Sequence, residues 1–316
     1  MAGPCLLLTA LRESPALSKA RRLAALHPPS ALRIAAADDV PDIVLYLDSG
    51  YVGLADLPLL RRRVRTHPTA RHFLFSESDW PYAVLPGAYP SLTRTLPWAR
   101  SWSYLPDPDA PAPAASPPQK EPAYLFSFLG RTSTHPIRER LLALDTPDTP
   151  CLELAAAPAR FADFDYHATY RELLLQSQFA LCPRGFGTAS IRLFEAMALG
   201  RAPVIIADAW QAPPDIPWRD FSLFVAEKDI MHIPHILKEV RGQAAVMGQR
   251  ARQVFATHFA PEVFFDRLLV MLLTLPYETG TAAMAGRAWK ALGWREGYSL
   301  AHRVKTRFRA EPGPIS

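Results

Sequence analysis

Residues 179–206 read FALCPRGFGTASIRLFEAMALGRAPVII, and this stretch decides the fold. Two apolar runs, Phe179–Cys182 and Pro203–Ala207, read as strands. Between them lie a turn, Pro183–Gly187, and a helix over Ala189–Leu199 that Gly200 ends. A strand–turn–helix–strand unit of this length belongs to a parallel sheet with crossover helices. Ligands of such sheets sit beyond the carboxyl ends of the strands. Gly185 and Gly187 allow close backbone approach there. Thr188 or Ser190 is placed to cap the helix or to touch a phosphate oxygen. Arg184 brings a guanidinium to the same turn. Arg192 and Glu195, three apart, share one helical face, with Ile191, Phe194 and Ala198 expected on the buried one. Amides, guanidinium groups and a nearby carboxylate at one point suit a phosphate-bearing ligand with hydroxyls. A surface Arg–Glu pair is the plain alternative.

The same alternation runs outward in both directions. Towards the N terminus, strands are expected at Cys5–Ala10, Leu32–Ala36, Ile43–Leu47 and His72–Phe75. Helices are expected at Pro15–Leu26 and over residues 53–65. Residues 106–122, PDPDAPAPAASPPQKEP, have no apolar period and read as an extended linker. Beyond it the alternation restarts: Tyr124–Leu129 strand, His135–Leu144 helix, Cys151–Leu154 strand, His167–Gln176 helix. After the central stretch come a strand at Phe221–Val225 and helices from about His232, including Pro261–Leu275. The expected organisation is an N-terminal acceptor-side domain (1–105), the linker (106–122), a donor domain (123–280) and a C-terminal helix with a basic tail (281–316).

Composition narrows the function. The 316 residues are 49% hydrophobic and 21% charged, with 32 prolines and a formal charge of +5. That is a globular chain with room for two cores. The mild positive charge fits an anionic substrate or a membrane surface, and the arginine-rich helix over 53–65 could meet acidic lipid or an anionic glycan. A dense Lys/Arg stripe interleaved with aromatics is missing, which argues against nucleic acid. Three scattered cysteines make neither a disulfide framework nor a zinc site. Without a basic leader or an apolar span of membrane length, the expectation is a cytoplasmic protein, membrane-peripheral at most. A Rossmann oxidoreductase is disfavoured, because no GxGxxG with a downstream acid opens either half.

Other groups add to the chemistry. Gly130–Arg131–Thr132–Ser133 follows a strand end and reads as a second phosphate clamp, with His135 beside it as a cap or a further contact. Carboxylates at strand ends of the N-terminal half are the candidates for a catalytic base: Asp79 first, then Glu77, then Asp48. Trp210 is the favoured acceptor contact from the second half, since an aromatic face can stack on a sugar. The two DxD sequences, Asp107–Asp109 in the linker and Asp163–Asp165 before a helix, read as incidental and as helix-terminal charge. Neither metal nor cofactor is expected.

These residues resemble a known family. The run from Leu181 to Ile230 is similar to the exostosin-type glycosyltransferases, which carry C-P-x-G-x-x-x-x-S-x-R-x-x-E-A, then G-x-x-P-V-I, W-x-x-F-S and E-x-D-I. The matching residues here include Cys182, Pro183, Gly185, Ser190, Arg192, Glu195, Gly200, Pro203, Trp218, Phe221, Glu227 and Asp229. The N-terminal half resembles the family only loosely, through FLFSESDWPYAVLPGAYPSL at Phe73–Leu92. The resemblance implies an α/β, GT-B architecture of two Rossmann-like domains facing across a cleft. It implies an inverting, metal-independent transfer from a nucleotide-sugar, with UDP the expected carrier, to a glycan or glycolipid hydroxyl. It places Arg192 on the diphosphate and Glu195 on sugar or ribose hydroxyls; Arg131 and Arg184 come from the charge argument alone. A non-catalytic glycan- or nucleotide-binding module with the same fold is the rival expectation.

Overall fold

The computed structural model describes residues 3–48, 52, 54–109, 122–161, 164–277 and 286–287. Residues 110–121 of the expected linker, Asp163, and all of the expected C-terminal helix and tail but residues 286–287 therefore lie outside the described residues.

The N-terminal lobe contains β1 (Cys5–Thr9), α1 (Pro15–Leu26), β2 (Arg33–Ile34), β3 (Ile43–Asp48), α2 (Leu57–Thr66), β4 (Arg71–Ser76), β5 (Gly87–Ala88) and β6 (Ala99–Arg100). Its strands are all parallel, in the order β2-β1-β3-β4-β5-β6. Side chains alternate across the sheet, as a period of two requires. Val44, Tyr46 and Leu74 pack on the α2 side, with Leu60. Leu45, Leu47, Phe73 and Phe75 face the other way, onto α1. The short strands β5 and β6 carry too few residues to show an alternation in sequence.

The second lobe holds β7 (Tyr124–Gly130), α3 (Pro136–Leu141), β8 (Cys151–Glu153), α4 (Tyr166–Leu175), β9 (Ser177–Pro183), α5 (Ile191–Ala198), β10 (Ala202–Ile206) and β11 (Leu223–Phe224). Three helices follow: α6 (Ile233–Glu239), α7 (Ala244–His258) and α8 (Phe264–Leu273). Its parallel sheet runs β11-β10-β9-β7-β8. Both lobes thus share the doubly wound 2-1-3-4-5 order. Gly200, at φ +68°, ends α5 as a left-handed cap, its amide bonded to the Met197 carbonyl. The buried face of α5 is Leu193, Phe194, Ala196 and Met197, whereas Ile191 is 52% exposed. The expectation that Ile191 is buried is corrected: it is the first helical residue and faces out beside the turn.

The two sheets face one another across a cleft, in the GT-B arrangement, and share a core. Leu45, Phe75 and Trp102 from the first lobe join Ala180, Phe194, Trp218 and Phe259 from the second in one apolar cluster. Phe259 packs edge-on against both Trp102 and Phe194. Helix α8 reaches back to the first lobe, where Phe264 meets Phe75. Its Asp266 is partly buried, which would raise its carboxyl, yet hydrogen bonds from the Ser30 hydroxyl and from the amides of Ser30 and Ala31 hold it below the ordinary value. Among the described residues no helix is long and apolar enough to cross a membrane.

Candidate active site

The chain order reverses between β7 and β9, so the turns after these strands diverge and leave a crevice. A cavity of about 880 Å³ opens there and extends to the first lobe. Gly130 and Arg131 line it from the end of β7, and Gly185 and Phe186 from the end of β9. Ser190, Arg192 and Glu195 line it from α5, and Glu77 and Asp79 from beyond β4.

Arg192 is the centre of the second-lobe wall. Only 7% of it is exposed. Its guanidinium lies over the rings of Phe128 (4.7 Å) and Tyr170 (5.1 Å). Nη2 donates to the Leu129 carbonyl and Nε donates to the Tyr170 hydroxyl at 3.2 Å. Nη1 has no hydrogen-bond partner among the described residues. A buried guanidinium N–H without a partner is expensive unless a ligand completes it. Tyr170 also donates to Glu195 Oε2 at 2.5 Å, so α4 and α5 are tied through one hydroxyl. Glu195 itself lines the cavity.

A second cation comes from α3. Arg138 lines the cavity and reaches across the turns. Nε donates to the Arg184 carbonyl (2.8 Å), Nη2 to that of Pro183 (3.3 Å) and Nη1 to that of Arg131 (3.2 Å). Burial, then repulsion from Arg192, push its pKa down to about 10, so it still carries its charge at neutral pH. A Cβ on Gly185 would sit 3.3 Å from Arg138 Nη2, so a side chain there would press on the Arg138 fork. Two guanidinium groups close enough to repel one another are stabilised by an anion between them.

The first-lobe wall is acidic. Asp79 opens onto the cleft, yet the surrounding protein desolvates it and pushes its carboxyl above the ordinary value. The Gly187 amide, Arg138 and Arg184 partly oppose that shift. Glu77 is half-buried and also shifted upward by burial. It accepts the Leu105 amide at 2.7 Å.

Several expected roles are corrected. Arg184 is 6% exposed and does not line the cavity. Its Nη2 turns back to the Phe186 carbonyl and its Nη1 lies 3.9 Å from Glu227, because the inward position is already filled by Arg138. Gly187 spends its amide on Asp79 rather than on a ligand. Trp210 is 7% exposed; it packs on Trp218 and donates to the Pro90 carbonyl at 3.0 Å, pinning the lobes together instead of meeting an acceptor. Asp48 ends β3 and is not among the cavity's lining residues. Of the Gly130–Ser133 clamp, the Thr132 amide is taken by Glu153. His135 caps α3 through Nδ1, and Asp165 caps α4. Asp109 pairs with Arg22 of α1. Among the described residues no group of three or more His, Cys, Asp or Glu could hold a metal ion.

Residues 71–240, more than half of the chain, match the model of the exostosin GT47 domain. The chain belongs to the exostosin GT47 family. The GT47 match includes both walls of the cavity, from Glu77 and Asp79 through Arg192 and Glu195. The chain is 33% identical over 144 residues to the probable beta-1,4-xylosyltransferase IRX10 of Arabidopsis thaliana, covering 42% of this chain and 34% of that protein. It is 35% identical over 104 residues to the exostosin-1 homolog of Caenorhabditis elegans, covering 32% and 27%. The matched part thus spans about a third of the length of these curated relatives. A solved structure of TarM superposes with a TM-score of 0.44 at 11% identity, over 73% of this chain and 54% of that one.

Two residues of this exostosin-family site have little signature in sequence. Arg138 lies in α3, seven residues beyond Arg131 and past the extended His135, and only the crevice geometry brings it to Gly185. Tyr170 reads as part of the apolar face of α4; its hydroxyl matters because α5 delivers Arg192 and Glu195 to it.

The lobe junction can be tested at Gly187. A Cβ there would lie 2.5 Å from Asp79 Oδ1, 3.0 Å from Asp79 Cα, and closer still to Ser91 Oγ. The Gly187→Ala protein is expected to lose about 1–3 kcal/mol in a urea unfolding curve, the usual result of forced overpacking. Wild-type stability would show that the lobes do not touch here.

Proposed function

We propose that this chain is an inverting glycosyltransferase that moves a sugar from a nucleoside diphosphate sugar, with UDP as carrier, to a hydroxyl of a glycan or glycolipid. One observation carries the reading: two arginines, Arg138 and Arg192, the latter with an unfilled donor, share a single cavity with the Asp79 carboxylate.

The chemistry follows from the parts. The acceptor oxygen attacks the anomeric carbon from the first-lobe side. Its bond forms as the bond to the diphosphate oxygen breaks, and the electron pair leaves with the diphosphate. Arg192 and Arg138 stabilise that developing negative charge in a water-poor wall. Their charge does at the leaving group what a cation does elsewhere, and the metal-independent reading rests on that. Asp79 takes the proton from the acceptor hydroxyl. Attack from the lobe opposite the leaving group inverts the anomeric centre. Glu195, oriented by Tyr170, accepts hydrogen bonds from hydroxyls of the donor.

The direct test offers UDP-, GDP- and CMP-sugars to the purified chain, with and without chelator, and reads product anomers by NMR. Inverted product from a UDP-sugar, unchanged by chelator, is expected. Retained configuration removes Asp79 as the base. Tight nucleotide binding with neither transfer nor hydrolysis identifies a binding module instead.

A further inference from the structure

Phe186 is a large apolar side chain left 49% exposed, and it lines the cavity. Ile191, at 52% exposure, lines the same cavity. Both side chains stand exposed in a cavity that Arg138, Arg192, Glu195 and Asp79 also line. The turn that carries the ring is firmly held. Arg138 binds the carbonyls of Pro183 and Arg184, Arg184 binds that of Phe186 itself, and the next amide, of Gly187, goes to Asp79. The ring is thus presented on a fixed backbone, one residue from the group that holds the carboxylate.

We infer that Phe186, with Ile191 beside it, is the surface on which the acceptor sugar stacks: a neutral pyranoside with an unbroken C–H face. This rests on the glycosyl-transfer reading of the cavity. Phenylalanine offers no hydrogen bond, so it recognises polarised C–H bonds through its electron-rich face, and such contacts prefer a defined ring-to-ring geometry. The position separates it from the donor. Gly187, the next residue, lies against Ser91 and Asp79, so the turn that carries Phe186 reaches the first lobe at the carboxylate. The other aromatic residues that line the cavity are engaged in packing: Tyr166 stacks on Tyr170 at 5.8 Å, and Tyr104 meets Phe194 edge-on. Ring and carboxylate together hold the sugar face and receive its hydroxyl proton.

The test uses the full chain with methyl β-D-xylopyranoside, methyl β-D-glucopyranoside, xylotetraose and cellotetraose as probes, each with saturating UDP. Saturation-transfer NMR reads which sugar protons touch the protein, and calorimetry reads UDP affinity separately. For at least one probe, transfer to one C–H face is expected in the wild type. In Phe186→Ala it falls at least fivefold, in Phe186→Trp it persists, and UDP affinity in both variants stays within about twofold of wild type. Phe186 is half exposed, so the variants keep the wild-type melting temperature. The inference is overturned if none of the probes contacts the wild-type chain, if contact survives in Phe186→Ala, or if that variant loses UDP affinity tenfold, which makes the ring a donor contact. Failure of the wild type to bind UDP in the calorimeter overturns the donor reading itself, and this inference with it.

Discussion

Exchanging Arg192 for lysine is expected to lower kcat/KM about 10²–10³-fold, the loss typical of removing one preorganised charge-stabilising donor. The substitution keeps the charge and removes the fork. Lysine cannot lie flat between Phe128 and Tyr170, serve the Leu129 carbonyl and Tyr170, and still offer a third donor to the cavity. UDP affinity falls in parallel, since the Nη1 group has no other use in the fold. Arg192→Ala goes further. It leaves the Leu129 carbonyl and the Tyr170 hydroxyl without their partner in a buried site, and about 3 kcal/mol of stability goes with them. Calorimetric titration with UDP and chemical unfolding of both variants check this. Wild-type UDP affinity in Arg192→Lys would detach this residue from the donor.

Replacement of Asp79 by asparagine should separate binding from chemistry. The amide has the same shape, and its oxygen can still accept the Gly187 N–H, but it cannot take a proton. Turnover is expected to drop about 10²–10⁴-fold, the usual worth of a general base, while UDP affinity stays within about twofold. The direction of the pKa shift adds two expectations. Desolvation raises the carboxyl in the fold, so the base is free only above a pH higher than that of an ordinary aspartate, and the rate climbs with pH through that raised value. For stability the sign is the reverse of a salt-bridged carboxylate. A folded-state pKa above the unfolded one means that ionisation opposes folding once the pH exceeds the unfolded value, and fully so above the folded one. Asp79→Asn is therefore expected to melt higher than wild type at neutral pH while being nearly inactive. A variant both inactive and less stable would point to a structural role for this carboxylate.

The fold was legible because its periods are local. Short apolar runs within strands of five to seven residues at β3, β4, β7, β9 and β10, separated by helices, dictate parallel sheets. Arg192 and Glu195 were legible for the same reason, three apart on a helix that begins at a strand end. What escaped the sequence was direction across the crevice. Arg131, Arg138 and Arg184 all flank the same turns, and their spacing does not say which guanidinium enters. Packing decides it: Arg138 arrives from α3 and occupies the space, and Arg184 folds back toward Glu227. Trp210 illustrates the converse. An indole beside a proline-rich loop reads as a sugar platform, but its N–H meets the Pro90 carbonyl and the ring is consumed by the joint between lobes. Phe186 has no signature in the sequence, because a lone phenylalanine between two glycines has no periodic partner.

The bond between Asp79 and the Gly187 amide ties the two lobes at the cavity. The carboxylate belongs to one lobe and the amide to the turn after β9 of the other. Any movement that parts the lobes must break this bond. Under the mechanism proposed above, such a movement would also withdraw the proton acceptor from the sugar-bearing face, so that a gaping enzyme would be a disarmed one. Water entering with the nucleotide-sugar would then find no aligned base, and the activated donor would be spared from wasteful hydrolysis until both halves had met around their second substrate.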